Sequence, residues 1–218
     1  KVNSNEETAI KAAREGSKAA LFETKDYNKA LIFYCHLVLY SQDPDERLNA
    51  QKQIAYIFFD NLADYTGAIT EFYKLFAMPH RSADDFNYRM VVARAYYYLS
   101  KHEQANSEIE EMLRLPLQVP QKFELLLLRA NVYISIRRFD LAIKIYQQML
   151  DEFPDLAAKE NVVLNLALCY EEEKNFAQAI DVLEKLKQKS PTPEYFEFRI
   201  KRLKERLKNQ PGARGFKK

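Results

Sequence analysis

The side chains best suited to chemistry in this sequence do not stand at catalytic or metal-binding spacings. Cys35 and Cys169 lie in apolar stretches, and His36, next to Cys35, would point about 100° away from it on a helix. The 3 histidines complete no H-E-x-x-H motif, and the sequence contains no C-x-x-C motif. The acidic run Glu171-Glu172-Glu173 is typical of a solvated helix end. We therefore predict no catalytic residue, no metal site, no cofactor and no enzyme activity.

Composition points to a folded, mostly helical protein. The 218 residues include only 4 glycines, and neither G-x-G-x-x-G nor G-x-x-x-x-G-K-[ST] occurs, which excludes glycine-rich phosphate loops. With 47% hydrophobic and 29% charged residues, the chain is too apolar for a disordered protein, and no apolar run approaches the ~18 residues of a membrane span. Two cysteines without a disulfide pattern fit a cytoplasmic protein. An exported or periplasmic protein is the alternative, because the sequence starts at Lys1 without Met.

Alanines that recur every 37 or 38 residues define the elements of the chain. One series is Ala30, Ala68, Ala105, Ala142 and Ala179, and a second, 12 or 13 residues upstream, is Ala55, Ala93, Ala130 and Ala167. An aromatic residue or a histidine stands three residues before each alanine of the first series. Small residues at fixed points let two successive helices pack closely, so each copy predicts a helix pair that must stack on its neighbours. The second copy carries one extra residue between its two alanines, Ala55 and Ala68.

The pattern resembles the tetratricopeptide repeat, W-x₂-L-G-x₂-Y then A-x₃-F then P over about 34 residues. The fourth copy carries Arg129-Ala130-x₂-Tyr133, Ala142-x₃-Tyr146 and Pro154. The first copy is the weakest, with Ser17-Lys18-x₂-Leu21 in place of the small residue and the tyrosine. The Trp position is never Trp, and the period is three residues longer than the family's. The resemblance implies an all-α, right-handed superhelical solenoid of helix-turn-helix repeats.

Five repeats are predicted between two terminal segments. The repeats span residues 9–45, 46–82, 83–119, 120–156 and 157–191, after a disordered segment at residues 1–8. Residues 192–208 predict a C-terminal cap helix, because Phe196, Ile200, Leu203 and Leu207 form one apolar stripe. Residues 209–218 are predicted to be a basic flexible tail.

The resemblance also implies a concave groove lined by the first helix of each pair. The family's groove positions carried over to this sequence give Phe22, Lys52, Tyr56, Phe59, Met90, Arg94, Tyr97, Tyr98, Leu127, Asn131, Ile134 and Leu168. Aromatic residues, Met and Arg are enriched at binding hot spots. We predict a non-enzymatic adaptor or scaffold that binds an extended peptide or an amphipathic helix of a partner protein in this groove. The opposing interpretation is that some of these aromatic side chains pack between repeats.

Two other functions are compatible with the sequence. The first is a structural scaffold that self-assembles by end-to-end stacking of repeat arrays. The second, weaker alternative is contact with nucleic acid or a membrane surface through residues 193–218, which carry 9 Lys and Arg against 3 Asp and Glu.

Overall fold

A computed structural model describes residues 4–79, 84–188 and 192–210, which form helices joined by short turns, and no strand occurs in these ranges. The predicted all-α class is confirmed. The chain divides into two compact units, Lys1–Arg114 and Leu115–Lys218. None of the helices in the described ranges is both long enough and apolar enough to cross a membrane.

The first unit consists of three helix pairs in which each helix packs on the next. In the first two pairs, the first helix continues into a π-helical turn, in which the N–H of residue i+5 donates to the carbonyl oxygen of residue i. The elements are α1 (Ser4–Lys18) with the π turn Ala19–Glu23, α2 (Tyr27–Tyr40), α3 (Pro44–Tyr56) with the π turn Ile57–Asn61, α4 (Tyr65–Phe76), α5 (Asp85–Tyr98) and α6 (His102–Leu113).

The second unit consists of two helix pairs, a short inserted helix and a final helix. The elements are α7 (Val119–Ser135), α8 (Phe139–Glu152), α9 (Pro154–Lys159), α10 (Val162–Glu172), α11 (Phe176–Lys187) and α12 (Pro193–Lys208). Helix α12 packs on α11 through Phe196, Ile200 and Leu203, which are buried. These residues belong to the apolar stripe that predicted a terminal helix.

The recurring alanines lie in the interior of the fold. All nine members of the two series have no exposed surface: Ala30, Ala55, Ala68, Ala93, Ala105, Ala130, Ala142, Ala167 and Ala179 are each 0% exposed. A larger side chain at any of these positions would force neighbouring helices apart. Complete burial of all nine is what close packing at small residues requires.

A left-handed residue ends the first helix of every pair. Lys25, Ala63, Ser100, Arg137 and Lys174 have φ between 51° and 60° and follow one another at the repeat interval. At Ser100 the turn is a Schellman motif, in which Lys101 N donates to Tyr96 O (2.9 Å) and Ser100 N donates to Tyr97 O (3.0 Å). The second helix then starts at once, and Asp26, Asp64 and Asn175 cap three of these helices through their side chains. These turns fold each pair back on itself.

The π turns explain the extra residue and correct the alignment of the first repeat. In the second repeat, the additional residue is accommodated in Ile57–Asn61, so the helix still reaches its turn at Ala63. The first repeat has the same insertion in Ala19–Glu23. Its buried small residue is therefore Ser17, which is 1% exposed, whereas the sequence analysis aligned the exposed Lys18 with this position.

The chain termini differ in part from the prediction. Residues 4–8, assigned to a disordered segment, form the start of α1, where Glu6 and Glu7 lie in the first turn and interact favourably with the helix dipole. At the other end, Gln210 Nε2 donates to Lys174 O at 2.6 Å, so the first part of the predicted tail is attached to the last repeat. Residues 1–3 and 211–218 lie outside the described residues, as do 80–83 and 189–191.

Candidate functional site

The predicted groove residues of the first unit differ widely in exposure. Phe22 (70%) and Tyr98 (52%) are exposed, and the side chains of Lys52, Tyr56, Phe59, Arg94 and Tyr97 are half-buried. Met90 is 3% exposed, so its prediction as a groove contact is corrected, and this side chain belongs to the core. Tyr56 packs edge-on against Phe72 with ring centroids 5.3 Å apart, which ties it to the core as well. Sequence position on a first helix therefore does not by itself decide access to a partner.

Five rings form a contiguous aromatic cluster at the turn end of the helices in the first unit. The cluster consists of Phe59, Tyr65, Tyr97, Tyr98 and His102. Tyr98 lies at its centre, 4.9 Å from Tyr65, 5.6 Å from Tyr97 and 6.0 Å from Phe59 between ring centroids. These are the distances and tilted arrangements of favourable aromatic pairs. The contacts fix the exposed ring of Tyr98 from several sides.

Local backbone features bring these rings together. The π turn carries Phe59, and the left-handed turn at Ser100 brings Tyr97 close to His102, with ring centroids 6.4 Å apart. π turns inside helices are frequent at functional sites. Tyr65 and His102 are not among the predicted groove residues. Their signal was present, since both occupy the aromatic position three residues before a repeat alanine, but the repeat pattern indicated only a packing role.

A carboxylate follows one member of the aromatic cluster along the chain. Asp60 follows Phe59 in the π turn, and burial raises the pKa of its carboxyl group. The pKa of the nearby Tyr56 hydroxyl is also raised, by burial first and then by the negative charges of Asp60 and Asp84. A cationic group of a bound segment would be attracted to this edge of the cluster.

A cavity of 450 Å³ with mixed polar and apolar walls lies between α1, α2 and α3. Phe22, Lys18 and Asn49 contribute to its walls together with an ion pair, in which Arg14 Nε lies 2.6 Å from Glu46 Oε1. Ser41 Oγ donates to Glu46 Oε2 at 2.6 Å, and these contacts lower the pKa of the Glu46 carboxyl, with the Arg14 hydrogen bond as the largest cause. Arg14 and Lys18 are not among the predicted groove residues, because the first π turn shifts the register of the first repeat by one residue.

In the second unit the predicted residues are mostly half-buried. Leu127, Asn131 and Ile134 are half-buried, whereas Leu168 is 44% exposed. Two exposed rings, Tyr195 and Phe198, line a pocket with Glu171 and Arg199, whose carboxylate oxygen and Nε lie 2.7 Å apart. Neither ring is among the predicted groove residues. The helix that caps the array therefore also exposes aromatic side chains.

The second unit also contains an apolar cavity of 530 Å³ where the first helix of the fifth repeat is interrupted. Asn161, with φ of 54°, separates the short α9 from α10. Ala157 and Leu164 line the cavity on either side of this break, and Leu150 and Leu186 line it from the second helices. The repeat pattern did not predict α9, which crosses the predicted boundary between the fourth and fifth repeats at residues 156 and 157.

The described residues contain no group of three or more His, Cys, Asp or Glu side chains that could hold a metal ion. Both cysteines are free thiols, Cys35 exposed and Cys169 buried. Burial raises the pKa of the Cys169 thiol to about 11, with Glu172 and Glu173 as further causes, so this thiol is poorly reactive.

Family profiles described as tetratricopeptide repeats match residues 93–157 and 133–201, which together span half of the sequence. The chain belongs to the tetratricopeptide repeat family. Tetratricopeptide repeats mediate protein–protein interactions, so this array has an interaction or scaffold role in general terms. No curated protein sequence matches the chain.

Several solved structures are similar to this tetratricopeptide repeat chain at low sequence identity, and one of them, with a TM-score above 0.5, shares its fold. BtubC (BKLC) from P. vanneervenii is 16% identical, with a TM-score of 0.55 over 94% of this chain and 92% of that one. TTC0263, a thermophilic TPR protein of Thermus thermophilus, is 21% identical, with a TM-score of 0.48 over 92% of this chain and 99% of that one. A structure of MamA MSR-1 is 15% identical, with a TM-score of 0.49 over 74% of this chain and 91% of that one.

Proposed function

We propose that this tetratricopeptide repeat protein is a non-enzymatic adaptor that binds a segment of a partner protein on the aromatic cluster of its first unit. The observation that carries the proposal is the exposed ring of Tyr98, fixed by Tyr65, Tyr97 and Phe59. A rigid aromatic side chain offers a large contact area and loses little conformational entropy on binding. Such preorganised aromatic residues are typical anchors of interaction surfaces.

Two kinds of protein segment suit this surface. An extended, proline-containing segment docks between aromatic rings, because its polyproline II backbone is already ordered. An amphipathic helix would instead place apolar side chains at i, i+3 and i+7 on the rings. In both cases a basic residue of the segment fits beside Asp60.

Selection from a peptide-display library on the full chain tests the proposal. Enriched peptides are synthesised, and their Kd values are measured by fluorescence anisotropy with the wild-type protein and with Tyr98→Ala. We expect the substitution to raise Kd by at least about tenfold, which corresponds to roughly 1.4 kcal/mol. Proline-rich consensus sequences would indicate an extended segment, and an i, i+3, i+7 apolar spacing would indicate a helix.

Tyr195→Ala in the second unit is the matched control, because Tyr195 is also an exposed tyrosine (61%) beside another ring. It should leave Kd unchanged while circular dichroism shows equal helicity for both variants. Peptides that bind with the same Kd to wild type and Tyr98→Ala, or that lose affinity only with Tyr195→Ala, would contradict a binding site on the aromatic cluster.

A further inference from the structure

The outward face of α2 carries an apolar stripe. Ile32 is 68% exposed, Leu39 is 70% exposed, and the exposed Cys35 lies between them. Their spacing of i, i+3 and i+7 places all three side chains on one side of the helix. Tyr40, 47% exposed, extends the apolar surface at its C-terminal end. We call Ile32, Cys35 and Leu39 the outer stripe.

The other repeats show that this stripe is unusual for its position. The repeat interval relates its three residues to the corresponding outward positions of the other second helices. These are Thr70, Tyr73 and Ala77 in the second repeat, Ser107, Glu110 and Arg114 in the third, Lys144, Gln147 and Asp151 in the fourth, and Asp181, Glu184 and Gln188 in the fifth. The last three repeats therefore carry only polar residues where the first carries Ile, Cys and Leu.

Burial within the fold does not explain the difference. The outward positions of the third and fourth repeats are exposed, as they are in the first, so the same face of the helix is directed to solvent in each case. An exposed apolar helix face in an otherwise polar series is typical of a protein contact surface. Its geometry suits another helix, because residues at this spacing pack into the grooves of a facing helix.

The charges beside the stripe favour a second copy of the same helix in antiparallel orientation. The exposed Lys25 and Lys29 lie at its N-terminal end together with Asp26, whose carboxylate caps α2, and the exposed Asp43, which caps α3, lies just beyond its C-terminal end. In an antiparallel pair, the lysines of each copy approach Asp43 of the other. A parallel pair would instead place Lys29 beside Lys29, and like charges at an interface disfavour that arrangement.

We propose that two copies of the chain associate through their outer stripes, as an antiparallel pair of α2 helices with a two-fold axis near Cys35. Such a contact is isologous, because each copy contributes the same surface and the assembly closes at two. It differs from end-to-end stacking of arrays, which would continue and would use the terminal helices. It is also independent of the aromatic cluster, which lies at other residues.

The position of the two-fold axis determines which residues of the two copies face each other. With the axis between residues 35 and 36, Ile32 of one copy faces Leu39 of the other, since both lie 3.5 residues from the axis. Two Ile32 residues would be separated by seven residues of helix rise, roughly 10 Å along the axis. That separation exceeds the Cα distance of about 7 Å that a disulfide can bridge. Cys35 of one copy, by contrast, lies close to Cys35 of the other.

Sedimentation equilibrium of the full chain under reducing conditions, from about 5 to 500 μM, tests the association. We expect a reversible monomer–dimer equilibrium with a Kd in the micromolar range, because a single helix face is a small interface. Leu39→Glu should raise the dimer Kd by at least about 30-fold, since it buries a charge at the contact. Gln147→Glu, at the outward position of the fourth repeat that corresponds to Cys35, is the control and should leave Kd unchanged.

Oxidative cross-linking tests the orientation. Mild oxidation of the wild-type chain should join two copies through Cys35, because Cys169 is buried. In a Cys35→Ser background, Ile32→Cys and Leu39→Cys chains of different mass should form a mixed disulfide dimer and few dimers of either chain with itself.

Several outcomes would overturn the proposal. A chain that stays monomeric over the whole concentration range excludes the dimer. A dimer that persists in Leu39→Glu uses another surface, and efficient cross-linking of Ile32→Cys with itself indicates a parallel pair. A monomeric chain that binds phosphatidylcholine–phosphatidylglycerol vesicles, and loses this binding in Leu39→Glu, would assign the stripe to a membrane.

Discussion

The left-handed turns offer the sharpest test of how the repeats are built. Ser100 and Ala63 adopt φ of 56° and 51°, a region that glycine enters without the steric conflict of a Cβ atom. Both residues are exposed at the turn between the helices of a pair. Replacing each by glycine removes strain and leaves the Schellman hydrogen bonds at Ser100 in place, because these involve only backbone atoms. We therefore expect Ser100→Gly and Ala63→Gly to stabilise the fold.

The magnitude follows from two opposing terms. A left-handed conformation of a non-glycine residue costs about 1–2 kcal/mol, which glycine relieves. Glycine also increases the conformational entropy of the unfolded chain, which lowers stability by about 0.4–1 kcal/mol. The net gain is therefore about 0.5–1 kcal/mol per site. The two turns belong to different repeats, so the double variant should gain about 1–2 kcal/mol, or roughly 2–8 °C in the melting temperature.

Thermal and urea unfolding followed by circular dichroism at 222 nm measures these gains. Lys144→Gly is the matched control, because Lys144 is exposed in the middle of α8, where glycine should lower stability by about 0.5–1 kcal/mol. The same introduced residue, glycine, should therefore raise the unfolding free energy at the two turns and lower it in the middle of α8. If Ser100→Gly and Ala63→Gly lower the unfolding free energy as Lys144→Gly does, the side chains of these turns contribute more than the strain, and the reasoning is refuted.

Two further predictions concern the first unit. Gly67→Ala should lower the unfolding free energy by about 1–3 kcal/mol in urea unfolding, because an added Cβ would lie 2.6 Å from Phe58 Cδ1. This loss should outweigh the higher helix propensity of alanine. Equal or higher stability would show that Phe58 can move aside. Glu46→Gln should cost about 0.5–1 kcal/mol at pH 7, because it removes the ion pair with the half-exposed Arg14. Folding lowers the pKa of Glu46, so the Glu46 carboxylate contributes fully to the unfolding free energy above the ordinary glutamate pKa of about 4.3. This contribution is lost as the pH falls through the lowered pKa. The unfolding free energies of wild type and Glu46→Gln should therefore converge at that acidic pH.

The sequence predicted the architecture well because repetition multiplies a weak local signal. One alanine alone predicts little about packing, but nine alanines at a common interval predict a shared place in the core, and all nine are fully buried. Predicting the binding surface was less successful. Met90 and Tyr98 both stand at groove positions of the same helix, yet one is buried and the other is half exposed. The groove positions were carried over from regular arrays, and the period and π turns of this chain depart from that regularity.

The sequence by itself was enough to identify the helical repeat, to align its later copies and to exclude glycine-rich phosphate loops. Each of these depends only on residue type and spacing along the chain. Only the tertiary structure placed the extra residues in π turns, assembled the rings around Tyr98, and left the outer stripe of α2 uncovered. The physical reason is that exposure and ring contacts depend on how helices distant in sequence pack around each side chain. A repeat pattern fixes which residues are equivalent, whereas packing decides which of the equivalent residues a partner can reach.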